Sequence, residues 1–174
     1  LNGVKGEFQR VGLSATVGNP NEVAKWMSVT GEPIFGPAPR TTKVTVHRET
    51  PTAEDDLLAG EWAISPKSIA AFRYLAYTLI EDSPSLVFVN SRSAAETVAQ
   101  RLSSIVPEIK VGVHHGSLAA ETRQEMEEAL RAGELHGLIC TSSLELGIDI
   151  GSIRRVHQLN SPRAVDRMLQ RAVS

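Results

Sequence analysis

The sequence predicts an α/β fold, a parallel β-sheet with helices on both faces, preceded by a short strand–helix–strand piece. Two observations carry that expectation. From Ser65 onward, amphipathic helical stretches alternate with short apolar runs of strand length. Strands that alternate in this way with amphipathic helices argue for a parallel sheet covered on both faces. The helix starts are also legible, because Ser or Asn repeatedly stands ahead of a proline or of an acid three residues on.

In chain order, Val11–Leu13 is the first short apolar run. Asn19 then precedes Pro20 and has Glu22 three residues on, and Val23, Trp26 and Met27 follow at helical spacing, which makes Trp26 a core candidate. The stretch Glu32–Arg40 contains three prolines and cannot be a regular helix. Lys43–His47 alternates and is rich in β-branched residues, so it reads as a strand. The acidic Thr50–Gly60 segment reads as a linker. Ser65–Pro66 opens a helix with Ile69, Phe72, Ala76 and Leu79 on one stripe. Leu86–Val89 is a strand, and Ser93–Glu96 reads as a capping box ahead of Val98, Ala99 and Leu102. Ile109–Val113 is the next strand, with Ser117 as the cap of a helix carrying Met126, Ala129 and Leu130. Leu138–Cys140 and Ile153–Leu159 are strands, and Ser161–Pro162 opens a last helix with Val165, Met168 and Leu169. The expected division is residues 1–48 as a remnant, 49–64 as a linker and 65–174 as one α/β domain.

Composition sets bounds on this reading. The 174 residues give room for one domain, or one domain and a piece of another. The single cysteine, Cys140, excludes a disulfide framework, fits a reducing, cytoplasmic setting and reads as a buried small hydrophobe. No apolar run has the length of a membrane-spanning helix. Eighteen basic and twenty acidic residues leave a net charge of −2, which does not announce nucleic acid. The distribution says more, since Gly151–Ser174 holds five arginines against one aspartate. Such a local basic end suits phosphate contact. No His, Cys, Asp or Glu cluster has metal-ligand spacing.

Ligands of open α/β sheets gather at the carboxyl ends of the strands. Four such ends carry small hydroxyl, amide or imidazole groups: Ser14–Asn19, Asn90-Ser91-Arg92, His114-His115-Gly116-Ser117 and the run from Thr141 to Asp149. Each stands next to a helix start, where unpaired N–H groups and a positive dipole suit phosphate oxygens. Four in a row suggest a row of phosphates, hence a nucleotide or a polynucleotide backbone.

These residues carry a resemblance to superfamily 2 helicases, and specifically to the Lhr (large helicase-related) family. Ser14-Ala15-Thr16 resembles motif III, and Leu86–Arg92 resembles motif IV, with His114–Leu118 after it. Thr141–Ile150 resembles motif V almost letter for letter, and Ser161-Pro162-Arg163 with Leu169-Gln170-Arg171 leads into motif VI. The resemblance implies that the domain is RecA-like, the second of two, and that residues 1–48 are the tail of the first. It implies that Asn90, Ser91, Arg92, His115, Gly116, Thr141 and Ser142 hold the phosphates of a DNA or RNA single strand. Gly147, Asp149 and Arg171 would face the nucleotide, and Ser14 and Thr16 would couple its γ-phosphate to the strand grip. ATP and Mg²⁺ are then the cofactors of the intact enzyme, and DNA repair is a setting such proteins suggest.

Departures from the pattern limit what this piece does alone. None of the five lysines follows a glycine, so a Walker A loop is absent, and so is a DExH motif. Val173 stands where the family has glycine, ahead of its arginine fingers. The 174 residues are therefore expected to bind no cofactor and hydrolyse no ATP by themselves. The missing first RecA-like domain is the expected partner, with self-association through residues 1–48 as a further expectation. The competing reading is a non-catalytic α/β module that binds nucleic acid or protein without ATP turnover. An α/β enzyme acting on a small phosphorylated molecule is weaker, for want of a nucleophile–base pair.

Overall fold

The apolar runs become four-residue strands in the computed structural model, which describes residues 11, 19–27, 43–144, 153–160 and 171. They are β1 (Ser85–Phe88), β2 (Val111–His114), β3 (Gly137–Cys140) and β4 (Arg155–Gln158). All pair in parallel, in the order β2-β3-β1-β4. Alternate residues of β1 point to opposite faces, and each face has its own core. Val87 and Val89 pack with Leu75, Ala76 and Leu79 of α3 (Pro66–Glu81) and with Ala95, Val98 and Leu102 of α4 (Arg92–Ile105). Leu86 and Phe88 pack on the other side, with Leu138, Cys140 and Leu130 of α5 (Ala120–Arg131). The helices thus cover both faces, as the strand–helix alternation requires. Cys140 is fully buried, as a small hydrophobe would be.

Helix α3 starts where Ser65–Pro66 says it should. The Ser65 hydroxyl accepts from the Ser68 N–H at 3.2 Å, and Pro66 occupies the first position. The short helix α1 (Pro20–Trp26) likewise has Asn19 as its cap, accepting from the Glu22 N–H at 3.3 Å. Trp26, a core candidate by its spacing, is instead 83% exposed, and α1 buries no residue. An apolar stripe is buried only where a second surface meets it, and none of the described residues covers this one.

Two other expectations are corrected. Lys43–His47 forms no strand, and Val44 and Val46 are exposed. β-propensity expresses itself only against a neighbouring strand, and this segment has no ladder partner among the described residues. His47 is anchored instead on α3, stacking on Tyr74 at 4.6 Å with its Nε2 3.1 Å from the Tyr74 hydroxyl. The acidic segment read as a linker contains helix α2 (Ala53–Trp62). Thr52 and Asp55 make a reciprocal capping box, with the Thr52 N–H donating to Asp55 Oδ2 at 2.7 Å. Glu54, Asp55 and Asp56 fall in its first turn, where the helix dipole favours negative charge.

Asp55 also joins α2 to α3. Its carboxylate is buried and accepts from Arg73 Nε at 3.2 Å and Nη2 at 2.8 Å. The Arg73 hydrogen bonds, with those from Thr52, hold its pKa down at about 2 against the opposing effect of burial. Replacing Asp55 by alanine removes the box and leaves Arg73 without that partner. A loss of about 2 kcal/mol in urea-unfolding free energy is expected, and a loss below a few tenths would show that α2 is not held by this group.

Candidate nucleic-acid interface

The strand register brings the carboxyl ends level. Phe88 pairs with both Cys140 and Gln158, and Cys140 with His114. The turns that follow each strand therefore emerge along one edge of the sheet. Asn90, Ser91 and Arg92 follow β1, His115, Gly116 and Ser117 follow β2, and Thr141 and Ser142 follow β3. All seven sequence-predicted strand-binding residues lie on this edge.

Local hydrogen bonds shape each turn. Ser91 is extended and caps α4, its hydroxyl accepting from the Ala94 N–H at 3.2 Å. The expected capping box at Ser93 and Glu96 does not form. The helix starts two residues earlier, Ser93 Oγ lies 3.2 Å from Ser91 Oγ, and Glu96 reaches His115. Ser117 is not a cap either. Helix α5 begins after Ala119 with no side-chain cap, and the Ser117 hydroxyl accepts instead from Arg92 Nη1 at 3.2 Å. That bond spans the turns after β1 and β2. The Leu118 N–H donates to the His115 carbonyl at 3.1 Å, leaving Gly116 exposed at the tip. After β3, the Thr141 N–H donates to the His114 carbonyl at 3.2 Å, and residues Ser142–Leu144 form a single 3₁₀ turn with Ser142 exposed.

The His115 side chain lies beneath its turn. It is 4% exposed, with Nε2 3.3 Å from Glu96 Oε1. The imidazole is packed behind the turn, and Gly116 at the tip has open space where a Cβ would lie. Its neighbour His114 is also buried, with Nε2 2.8 Å from Glu127 Oε1.

Arg171 is held at the ends of two strands. It is 4% exposed, its Nη1 donates to Gln158 Oε1 at 2.7 Å, and its guanidinium lies 5.0 Å from the centroid of the Phe88 ring. An arginine so held braces the ends of β1 and β4. The remaining nucleotide-side and coupling candidates, Gly147, Asp149, Ser14 and Thr16, lie outside the described residues. Among the described residues, no group of three His, Cys, Asp or Glu side chains could hold a metal ion. Gln158, Glu96 and the Arg92–Ser117 pairing escaped sequence reasoning.

An all-parallel sheet with helices on both faces and hydroxyls, open main chain and an arginine along its carboxyl edge defines a RecA-like α/β domain. The chain belongs to the helicase conserved C-terminal domain family, whose profile matches residues 68–173. It is 37% identical over 173 residues to the ATP-dependent helicase Lhr-Core of Sulfolobus acidocaldarius, covering 96% of this chain and 19% of that protein. The Lhr-Core helicase of Methanocaldococcus jannaschii is 38% identical over 164 residues, 94% of this chain and 19% of its own length. Among solved structures, the Mycobacterium smegmatis helicase Lhr bound to single-stranded DNA and AMP-PNP superposes with a TM-score of 0.71 at 34% identity. That match covers 94% of this chain and 22% of the Lhr chain. The chain thus spans about a fifth of the length of these relatives. Among the described residues, no helix is long and apolar enough to cross a membrane.

Proposed function

We propose that this chain is the second RecA-like domain of an ATP-dependent, Lhr-like nucleic-acid helicase, and that the edge after β1, β2 and β3 grips the backbone of a DNA or RNA single strand. The observation that carries the reading is the convergence of Arg92, Gly116–Ser117 and Thr141–Ser142 on one sheet edge, with Arg92 bonded across to Ser117. Arg92 supplies the positive charge there, while hydroxyls and main-chain N–H groups supply donors that read no base. ATP, with Mg²⁺, would bind between this domain and a first RecA-like domain, and the γ-phosphate would bias closure of the pair. Ser14 and Thr16 would transmit that closure, and Gly147 and Asp149 would meet the nucleotide. The exposed Val23 and Trp26 of α1 would be covered by the sheet of the first domain. The working compartment would be the cytoplasm. By itself, the chain would grip a strand without hydrolysing ATP.

Binding of a fluorescent single-stranded oligonucleotide, followed by anisotropy across a salt series, tests the grip. An Arg92→Ala variant is expected to bind about tenfold more weakly and to lose about 0.7 from the slope of log affinity against log salt, as one phosphate contact does on a single strand. Thr141→Ala, which removes a hydroxyl and no charge, should weaken binding with the slope preserved. Unchanged affinity in both would remove the strand-gripping assignment and favour a protein-binding module.

A further inference from the structure

We infer that Gln158 is a positioning residue, whose single side-chain amide ties the chain beyond β4 to the strand-gripping edge of the sheet. Its Nε2 donates to the Asn160 carbonyl at 2.9 Å, the Leu159 carbonyl at 3.2 Å and the Phe88 carbonyl at 3.4 Å. Its Oε1 accepts from Arg171 Nη1 at 2.7 Å. The partners fix which way the amide faces, because carbonyls only accept and a guanidinium only donates.

The bridge has a defined geometry on both sides. Phe88 accepts the Leu159 N–H at its carbonyl, at 3.0 Å, and carries the Arg171 guanidinium over its ring. One residue of the central strand therefore receives both arms of the assembly. Asn160, just beyond, has φ of +67°, a left-handed conformation that asparagine tolerates better than most residues. The bond from Gln158 to the Asn160 carbonyl holds that turn. Only a carboxamide of this length supplies donor and acceptor together. Glutamate keeps the acceptor for Arg171 and loses the donor, and leucine loses both.

The consequence for activity rests on the proposed function. Arg92, Gly116 and Thr141 emerge after β1, β2 and β3, whereas Arg171 belongs to the segment that resemblance assigns to the nucleotide side. Gln158 joins the two, acting through Arg171, so its loss should affect turnover more than strand grip or nucleotide affinity.

The test uses the full-length polypeptide that carries this chain, with Gln158→Leu, Gln158→Glu and Arg171→Lys variants. In Gln158→Leu, kcat for strand-stimulated ATP hydrolysis is expected to fall about tenfold, with KM for ATP and oligonucleotide affinity within about twofold of the parent. Gln158→Glu, which still receives Arg171, should recover part of that loss. A parallel fall of kcat, ATP affinity, oligonucleotide binding and melting temperature would mark Gln158 as merely structural and overturn the inference. Should the parent show no strand-stimulated hydrolysis, it is the proposed function that fails. The bridge is then judged on this chain by amide hydrogen exchange. About tenfold faster exchange at Leu159 in Gln158→Leu, with Val87 unchanged, supports it, and unchanged exchange at Leu159 overturns it.

Discussion

Replacing Phe88 by alanine is expected to destabilise the domain by about 3–5 kcal/mol, the range for deleting a fully buried aromatic side chain. Phe88 has no solvent exposure and sits on β1, which pairs with β3 on one side and β4 on the other. Its ring packs in the cluster formed with Leu86, Leu130, Leu138, Cys140 and Leu144. Two losses combine on truncation. The ring leaves a cavity that the flanking strands cannot close, because their spacing is set by main-chain hydrogen bonds. The Arg171 guanidinium also loses the aromatic face beneath it. Urea unfolding should show a lower midpoint with an unchanged slope, which separates lost stability from a changed unfolded state. Phe88→Leu, which refills most of the volume, is expected to cost about 1.5 kcal/mol. A cost below about 1 kcal/mol for the alanine variant would be incompatible with a close-packed core around Phe88.

The parts of the fold legible in the sequence are those decided by neighbours in the chain. Ser65–Pro66 starts α3 because a hydroxyl cap and a fixed φ act over three residues. The strands at Leu86, Leu138 and Val111 follow from apolar runs between helical stretches, and the alternation of those stretches placed helices on both faces. The row of Asn90–Arg92, His115–Ser117 and Thr141–Ser142 on one edge then follows from parallel topology, since every carboxyl end points the same way.

What was not legible depends on partners far along the chain. The acids after Thr52 resemble a solvated linker until Arg73, eighteen residues on, is seen to hold Asp55. Ser93 matches a cap by its spacing to Glu96, yet the end of β1 places the helix start at Ser91. Ser117 matches a cap by position, yet Arg92, twenty-five residues earlier, claims its hydroxyl. Gly137 lies just ahead of the run read as a strand, yet it belongs to β3 and packs under α3, where a Cβ would lie 2.8 Å from Leu79 Cδ2. Lys43–His47 and Trp26 show the converse, since β-branched or apolar residues form a strand or core only when a second surface is present.

Acidification between pH 6.5 and 4 is expected to remove about 3 kcal/mol of stability through one residue, His157. Burial in β4 pushes this imidazole down from 6.5 to about 4, and the positive charge of Arg155 and the neighbouring His47 act in the same direction, while Asp82 opposes them. Its Nε2 is buried with no hydrogen-bond partner among the described residues. The folded state therefore keeps His157 neutral, whereas the unfolded chain takes up a proton below its ordinary value. Stability is complete above pH 6.5, declines as the pH falls, and stops declining near pH 4, where the folded state is protonated as well. Asp55 titrates in a separate window: its contribution is present above its ordinary 3.8 and is lost as the pH falls toward about 2. The acid-unfolding curve should accordingly show two phases. Replacing His157 by glutamine is expected to flatten the upper phase and leave the lower one intact. Asp82→Asn should deepen the upper phase, because Asp82 is the carboxylate that favours the charged imidazole and pairs with Arg155 at 3.0 Å. Stability measured by urea at half-unit pH steps decides the matter: an upper phase that persists undiminished in His157→Gln would assign it to another group.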